Sequence, residues 1–306
     1  MRIDGSGKLL RVLAAHAYIL GGQSNEGGVV GEHRRARARV ARLALAGLAG
    51  ATAASALPPA PVVPPFSSAP IADGTLPDGW EPLEFPRIPS HTRYELVNDA
   101  GVRVVRATSR ASASGLIFRV RVDLGVHPIL RWRWKVDGVL ERGDVSSRSG
   151  DDYPARVYVT FEYDPERVGW WKRIRYRAAR QVFGDLPIGA INYIWASRAP
   201  RGAVVDNVYS GGFVKMIVVE SGPARAGQWR EEARNVYEDF IDAFGEEPPL
   251  VNGVAVMTDT DNTGEAAVAY YGDIEFQAAF PDWYDPPGKR ADRGEIGRSV
   301  EDEDSD

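Results

Sequence analysis

Residues 130–163 read LRWRWKVDGVLERGDVSSRSGDDYPARVYVTFEY. In the first part, Leu130, Trp132, Trp134 and Val136 alternate with Arg131, Arg133, Lys135 and Asp137. Successive side chains of a strand point to opposite faces, so this pattern predicts a strand with one bulky apolar face and one charged face. The end of the stretch repeats it, with Ala155, Val157, Val159 and Phe161 against Arg156, Tyr158, Thr160 and Glu162. A polar loop ending in Gly150-Asp151-Asp152-Tyr153-Pro154 joins the two. Trp132 and Trp134 share the parity of Leu130 and Val136 and are assigned to a core. Any ligand contact from this stretch then falls to Arg133, Lys135, Arg156, Tyr158 and the Asp152 turn.

Short runs bounded by turn signals continue on both sides, as an all-β domain requires. Tyr94–Val97 and Val102–Thr108 flank Asn98-Asp99-Ala100-Gly101, a hairpin turn with Gly where positive φ is needed. Leu116–Leu124 alternates again. Ala190–Ala196 and Phe213–Glu220 read as buried strands, and Val251–Met257 with Ala266–Phe276 as the last pair. Two helices are expected among them. Gly169–Phe183 is basic and amphipathic, which fits packing on its own domain, a membrane surface or an anion. Trp229–Phe244 places Trp229, Ala233, Tyr237, Phe240 and Phe244 at helical spacing, with Gly245 and then Pro248-Pro249 as its stop. It should cover an end or edge of the sheet.

The chain has 306 residues, 44% hydrophobic and 26% charged, with eight Trp and no Cys. That composition suits a globular domain with a sizeable core. It excludes disulfides and any Cys-based nucleophile or metal site. The first 70 residues differ from the rest. Arg34, Arg35, Arg37, Arg39 and Arg42 precede the apolar run Leu43–Ala54 and then Ala54-Ser55-Ala56. This is the order of a bacterial secretory signal, with an apolar run too short to span a bilayer. Residues 33–56 are therefore read as a signal peptide and 1–32 as a misassigned start. The mature chain is expected to be exported, periplasmic or extracellular, with no transmembrane helix. Residues 57–75 are Pro-rich and predict an extended tether. The domain is placed at 76–280, and 281–306 is an acidic tail expected to be disordered. Without residues 1–56, which hold eight Lys or Arg and three Asp or Glu, the formal charge moves from −5 to −10. So acidic a chain argues against nucleic acid as partner.

Three constellations could carry chemistry. Asp259-Thr260-Asp261-Asn262-Thr263-Gly264-Glu265 opens like a calcium loop, with Asp259, Asp261 and Asn262 as ligands. It departs from the EF-hand pattern, and the same residues build ordinary turns. Asp152 could pair with Asp261 or Asp273 as the two carboxylates of a glycoside hydrolase or lyase, or could simply hold a strand Arg. Finally, Arg133, Lys135, Arg156, Tyr158, Lys215 and Tyr271 could line one polar groove together with Asp273 and Glu275 if their strands are neighbours. Gly272 is a candidate bulge that would reset the alternation there. Aromatics beside charged groups suit a carbohydrate or a small polar ligand. The histidines are His16, His33, His91 and His127, which leaves little for a Ser-His-Asp triad or a His-rich zinc site. G-x-S-x-G, Walker A and dinucleotide motifs are missing from the sequence.

The segments LRWRWKVD, SGDDYPARVYVTFEY, INYIWAS, GQWREEARNVYEDFIDAFGEEPP and VAVMTDTDNTGEAAVAYYGDIEF occur in this order. Together they resemble domain-of-unknown-function family three thousand forty-seven, a group of mostly exported bacterial proteins. That resemblance implies no activity or catalytic residue. The closing YYGDIEF is also similar to the last strand of jelly-roll carbohydrate-binding modules, with Asp273 as the acidic residue before the apolar end. The expectation is thus an all-β jelly-roll type β-sandwich with two peripheral α-helices. Its leading function is non-catalytic binding of a carbohydrate or similar polar ligand. A carboxylate-dependent glycosidase or lyase and an envelope protein-interaction module stand as alternatives.

Overall fold

The computed structural model describes residues 59–69, 76–162 and 189–284, all within one compact unit, Ser55–Asp306. Twelve strands are present among them: β1 Trp80–Leu83, β2 Arg93–Asp99, β3 Val102–Arg110, β4 Ala113–Phe118, β5 Ile129–Val136, β6 Ala155–Phe161, β7 Ala190–Ala196, β8 Val204–Asp206, β9 Val214–Ser221, β10 Arg230–Asn235, β11 Val251–Asp259 and β12 Ala266–Gln277. They form a seven-stranded sheet, β1-β4-β11-β6-β7-β9-β8, and a five-stranded sheet, β10-β5-β12-β3-β2. One α-helix, α1 Val236–Phe244, is found among the described residues.

The two sheets face each other across one apolar core, as the alternation in residues 130–136 and 155–161 predicts. Trp132 and Trp134 of β5 are fully buried and meet edge to face, with ring centroids 5.5 Å apart. Trp132 stacks on Tyr193 of β7 at 5.1 Å, and Trp134 leans on Trp195 at 5.9 Å. Such aromatic pairs across the sandwich add geometric preference to the area they bury. The Asn98–Gly101 turn also forms as expected, with Ala100 and Gly101 at positive φ and the Gly101 N–H donating to Asn98 Oδ1 at 2.8 Å.

Two expectations change. β5 and β6 belong to opposite sheets, so the polar faces of the opening stretch point to opposite outer surfaces of the sandwich. The helix expected over 229–244 is a strand in its first half. Arg230–Asn235 pairs with β5 as an edge strand, and helix begins only at Val236. Glu, Ala and Arg favour a helix locally, but edge pairing overrides that preference. The strand's inward polar side chains find buried partners: Glu232 accepts from Trp134 Nε1 at 3.3 Å, and Arg234 pairs with Asp239. The Asn235 side chain then accepts Glu238 N–H at 3.2 Å, and Gly245 closes α1 in the left-handed region. Phe240 packs on Phe161 at 4.6 Å, so α1 covers the end of the sandwich where β6 finishes.

The helix expected over 169–183, the residues 1–56 read as a start and signal, and the tail from 285 onward lie outside the described residues. Part of the Pro-rich segment lies inside them and is no free tether. Val63 and Phe66 are buried in the core, and Phe66 packs on Trp80 at 4.9 Å.

Candidate functional site

The expected polar groove divides between three places. Arg133, Lys135 and Asp273 lie on the outer face of the five-stranded sheet. Asp152, Arg156, Tyr158, Asp259, Asp261 and Asn262 gather at the start of β6, on the outer side of the seven-stranded sheet. Lys215 belongs to neither group. It sits at the α1 end, paired with Asp206 at 2.6 Å and lying over the Phe244 ring at 5.8 Å. Tyr271 points into the core.

On the five-stranded sheet, Arg131, Arg133, Glu231, Asp273, Glu275 and the strand at Trp132 line a shallow groove of about 170 Å³. A bulge makes it. The pairing of β12 with β5 shifts register between Tyr271 and Ile274, which turns Tyr271 inward and Asp273 outward. Gly272 sits at the shift, and its bare backbone lets the Arg133 side chain lie across it: a Cβ there would meet Arg133 Nε at 2.3 Å. Arg133 also stacks on Trp229, 4.8 Å from the ring centroid.

Neighbouring charges are already engaged. Arg131 pairs with Glu231 at 3.3 Å, and Lys135 with Asp99 at 2.7 Å. Asp273 accepts from Ser67 N at 2.9 Å and Ser67 Oγ at 2.6 Å. Asp99 also accepts from Trp229 Nε1 at 2.7 Å, and Lys135 followed by Trp229 holds its pKa below the ordinary value, against the pull of burial. Arg133 makes no ion pair among the described residues. Trp283, 47% exposed, stands at the rim with Arg131 5.6 Å from its ring. Ser67, Trp229, Trp283, Arg131 and Glu231 are the groove residues that the sequence reading missed, whereas Glu275 stands beside Asp273 as expected. Arg131 had the right parity, but nothing local marked Ser67 or Trp283.

The second cluster is buried. Arg156 holds Asp259 through two contacts, Nε to Oδ1 at 2.8 Å and Nη2 to Oδ2. Its remaining donors go to the Tyr158 hydroxyl at 3.0 Å and the Asp151 carbonyl at 2.7 Å, and it lies over the Tyr153 ring at 4.2 Å. Burial opposes the Arg156 charge, but Asp259, Tyr158 and Asp151 outweigh it and raise the pKa. Burial pushes the Asp259 carboxyl up against the pull of Arg156, aided by Asp152 and Asp151. Burial also raises Tyr158 to about 12.

Asp152 has another task. It accepts Thr263 N–H at 2.6 Å, Asn262 N–H at 3.3 Å and Asn262 Nδ2 at 3.1 Å, and so anchors the loop after β11. Asp152, Asp259 and Asp261 each bring a carboxylate oxygen within 4.8 Å of the others. Asp152 and Asp261 thus have oxygens no more than 4.8 Å apart, closer than the ~6.5–9.5 Å of an inverting glycosidase pair. However, Asp152 has no exposed surface, and both of its oxygens are bonded to that loop. Asp273 is on the other sheet and makes no pair with it.

Fold and sites together describe a β-sandwich with one open polar face and one buried ionic cluster. Residues 78–275 match a family model described as protein of unknown function (DUF3047), and the chain belongs to that family. No curated protein matches it. Among the described residues, no helix is long and apolar enough to cross a membrane.

Proposed function

We propose that the groove on the five-stranded sheet binds a carbohydrate or similar polar ligand bearing an anionic or hydroxyl-rich group, and that the protein is an exported, non-catalytic binding domain. The observation that carries this reading is Arg133. Its side chain lies between Gly272 and Trp229, in a concave surface, with no carboxylate paired to it among the described residues. A planar, preoriented guanidinium offers paired donors to a carboxylate, sulfate or vicinal diol. Glu231, Asp273 and Glu275 supply acceptors for hydroxyls, and the exposed Trp283 supplies a ring for the apolar face of a sugar. Export rests on the order of basic, apolar and small residues before Ala56.

Calorimetric titration of the mature chain with neutral and acidic envelope saccharides tests this. One acidic saccharide should bind, and Arg133→Ala and Trp283→Ala should each weaken it at least about tenfold, or about 1.4 kcal/mol. Binding that survives both substitutions would place the ligand elsewhere. No heat with any saccharide would end the proposal.

A further inference from the structure

The carboxylates around Arg156 are too many for one guanidinium. Asp151, Asp152, Asp259 and Asp261 surround it; the first three are at most 3% exposed and Asp261 is only partly exposed. Charge of one sign withdrawn from water needs a counter-charge close by.

Each carboxylate oxygen can accept about two hydrogen bonds, so the unused positions can be found one by one. Asp259 Oδ1 is filled by Arg156 Nε and Tyr153 N–H, whereas Oδ2 has only Arg156. Asp152 Oδ1 is filled by the two Asn262 donors, whereas Oδ2 has only Thr263 N–H. Asp261 accepts from no other described residue. Asp151 Oδ2 takes Asn207 Nδ2 at 2.8 Å, but its Oδ1 is buried with no partner. The Tyr153 hydroxyl, on a residue 1% exposed, is likewise buried without a partner. The Tyr153 hydroxyl and the Asp151 carboxylate are close enough to shift each other's pKa as hydrogen-bonding neighbours, although the pair falls outside good hydrogen-bond geometry. Oxygens of Asp152, Asp259 and Asp261, each residue with acceptor positions to spare, therefore lie together, and the orphaned Asp151 carboxylate belongs to the same buried cluster and is electrostatically coupled to all three.

We infer that Asp152, Asp259 and Asp261, with Asp151 in the same buried cluster, form a site for one calcium ion that ties the loop after β11 to the turn before β6. Hard oxygen donors with no His or Cys suit calcium or magnesium. Size favours calcium. Ligands at about 2.3–2.6 Å from calcium stand up to about 4.6–5.2 Å apart, which accommodates three oxygens that all lie within 4.8 Å of one another. Magnesium, at about 2.0–2.1 Å, demands a near-ideal octahedron and gives up its waters reluctantly, so a cage of loop carboxylates suits it less well. Asn262, expected as a ligand, is left out of this set because both ends of its amide are engaged. Its side chain donates to Asp152 and accepts from Tyr209 at 2.7 Å. The partly exposed Asp261 leaves the entry path and positions for water. The site lies on the seven-stranded sheet and is independent of the saccharide groove.

The test uses the full chain, stripped with EDTA and exchanged into metal-free buffer. Calorimetry with calcium chloride should show one site, and calcium should raise the melting temperature by about 3 °C or more, with magnesium doing less. Asp261→Asn and Asp151→Asn should each weaken calcium binding at least about tenfold. Asp206→Asn, at the far edge beside Lys215, should leave it unchanged. Terbium provides a local readout, because Tyr153 and Tyr158 at the site should sensitise its luminescence in the wild type and in Asp206→Asn but not in Asp261→Asn. If Asp261→Asn unfolds, as circular dichroism would reveal, Asp151→Asn decides. Absence of calcium binding by the stripped wild type would overturn the inference. So would undiminished binding by both cluster variants.

Discussion

Tyr271 on the five-stranded sheet accepts the backbone N–H of Arg156 on the seven-stranded sheet, at 3.3 Å through the core. The same hydroxyl donates to the Met257 carbonyl at 2.6 Å and meets Thr258 Oγ1 at 2.9 Å. The backbone beneath the ionic cluster is thus fixed from behind by the opposite sheet. Tyr271→Phe keeps the ring and its packing but leaves these buried polar groups without the hydroxyl. The expected loss is about 1–3 kcal/mol in urea unfolding, with an unchanged slope.

Arg156 should be the most costly single side chain to remove in that region. It is 2% exposed, and its fork serves Asp259, Tyr158 and the Asp151 carbonyl together. Arg156→Ala strands a buried carboxylate, for an expected loss of about 3–5 kcal/mol by denaturant unfolding. Lys keeps the charge but cannot reproduce the fork, so Arg156→Lys should recover less than half of that loss. Asp259→Asn combined with Arg156→Ala should cost less than the two separately, since the stranded charge is gone.

Strand parity was legible in the sequence because it is local: Leu130–Val136 and Ala155–Phe161 assign their own inward faces by period 2. The suspicion of a bulge at Gly272 was equally local, and the register shift beside it bears it out. Which sheet each strand joins depends on pairing between distant segments. Arg133 and Arg156, grouped together from sequence, therefore stand on opposite outer faces. Residues 230–235 misled for a different reason. A polar edge strand whose inward charges pair with Glu220, Trp134 and Asp239 has the composition of a helix. At the groove, Ser67 and Trp283 approach from the segments flanking the domain, and no spacing rule links them to Asp273 or Arg131.

Glu232 should make stability fall with rising pH. Burial, and next the neighbouring Glu220, raise its carboxyl from 4.5 to about 7. Below about pH 4.5 the group is neutral in both folded and unfolded chains. Between 4.5 and about 7 the folded chain holds a proton that the unfolded chain has released, so each step upward favours unfolding. Above about pH 7 the penalty is complete, at about 3 kcal/mol from the width of that window. Glu232→Gln retains an acceptor for Trp134 Nε1 and should flatten the slope, becoming the more stable form at pH 8. Thermal unfolding from pH 4 to 8 checks this, and parallel profiles for the two proteins would show that Glu232 does not titrate in the window.

Gly272→Ala separates the groove from the fold. The glycine has no positive φ to protect, so the backbone accepts alanine without conformational cost. What the new methyl meets is the Arg133 side chain, with Cγ at 2.4 Å and Nε at 2.3 Å. Arg133 must swing away from the bulge and off Trp229, because the atoms in the way all belong to its own flexible side chain. A displaced surface side chain alters stability by only about 0.5 kcal/mol. Saccharide binding should nevertheless fall as far as in Arg133→Ala, since the guanidinium is intact but no longer preoriented. Trp229 loses the Arg133 contact in both variants and keeps only Lys135, 5.2 Å from its ring, so the two should share the same shift in tryptophan emission. If Gly272→Ala binds as the wild type does while Arg133→Ala does not, the ligand requires only the charge of Arg133, and its fixed orientation across the bulge has no part in recognition.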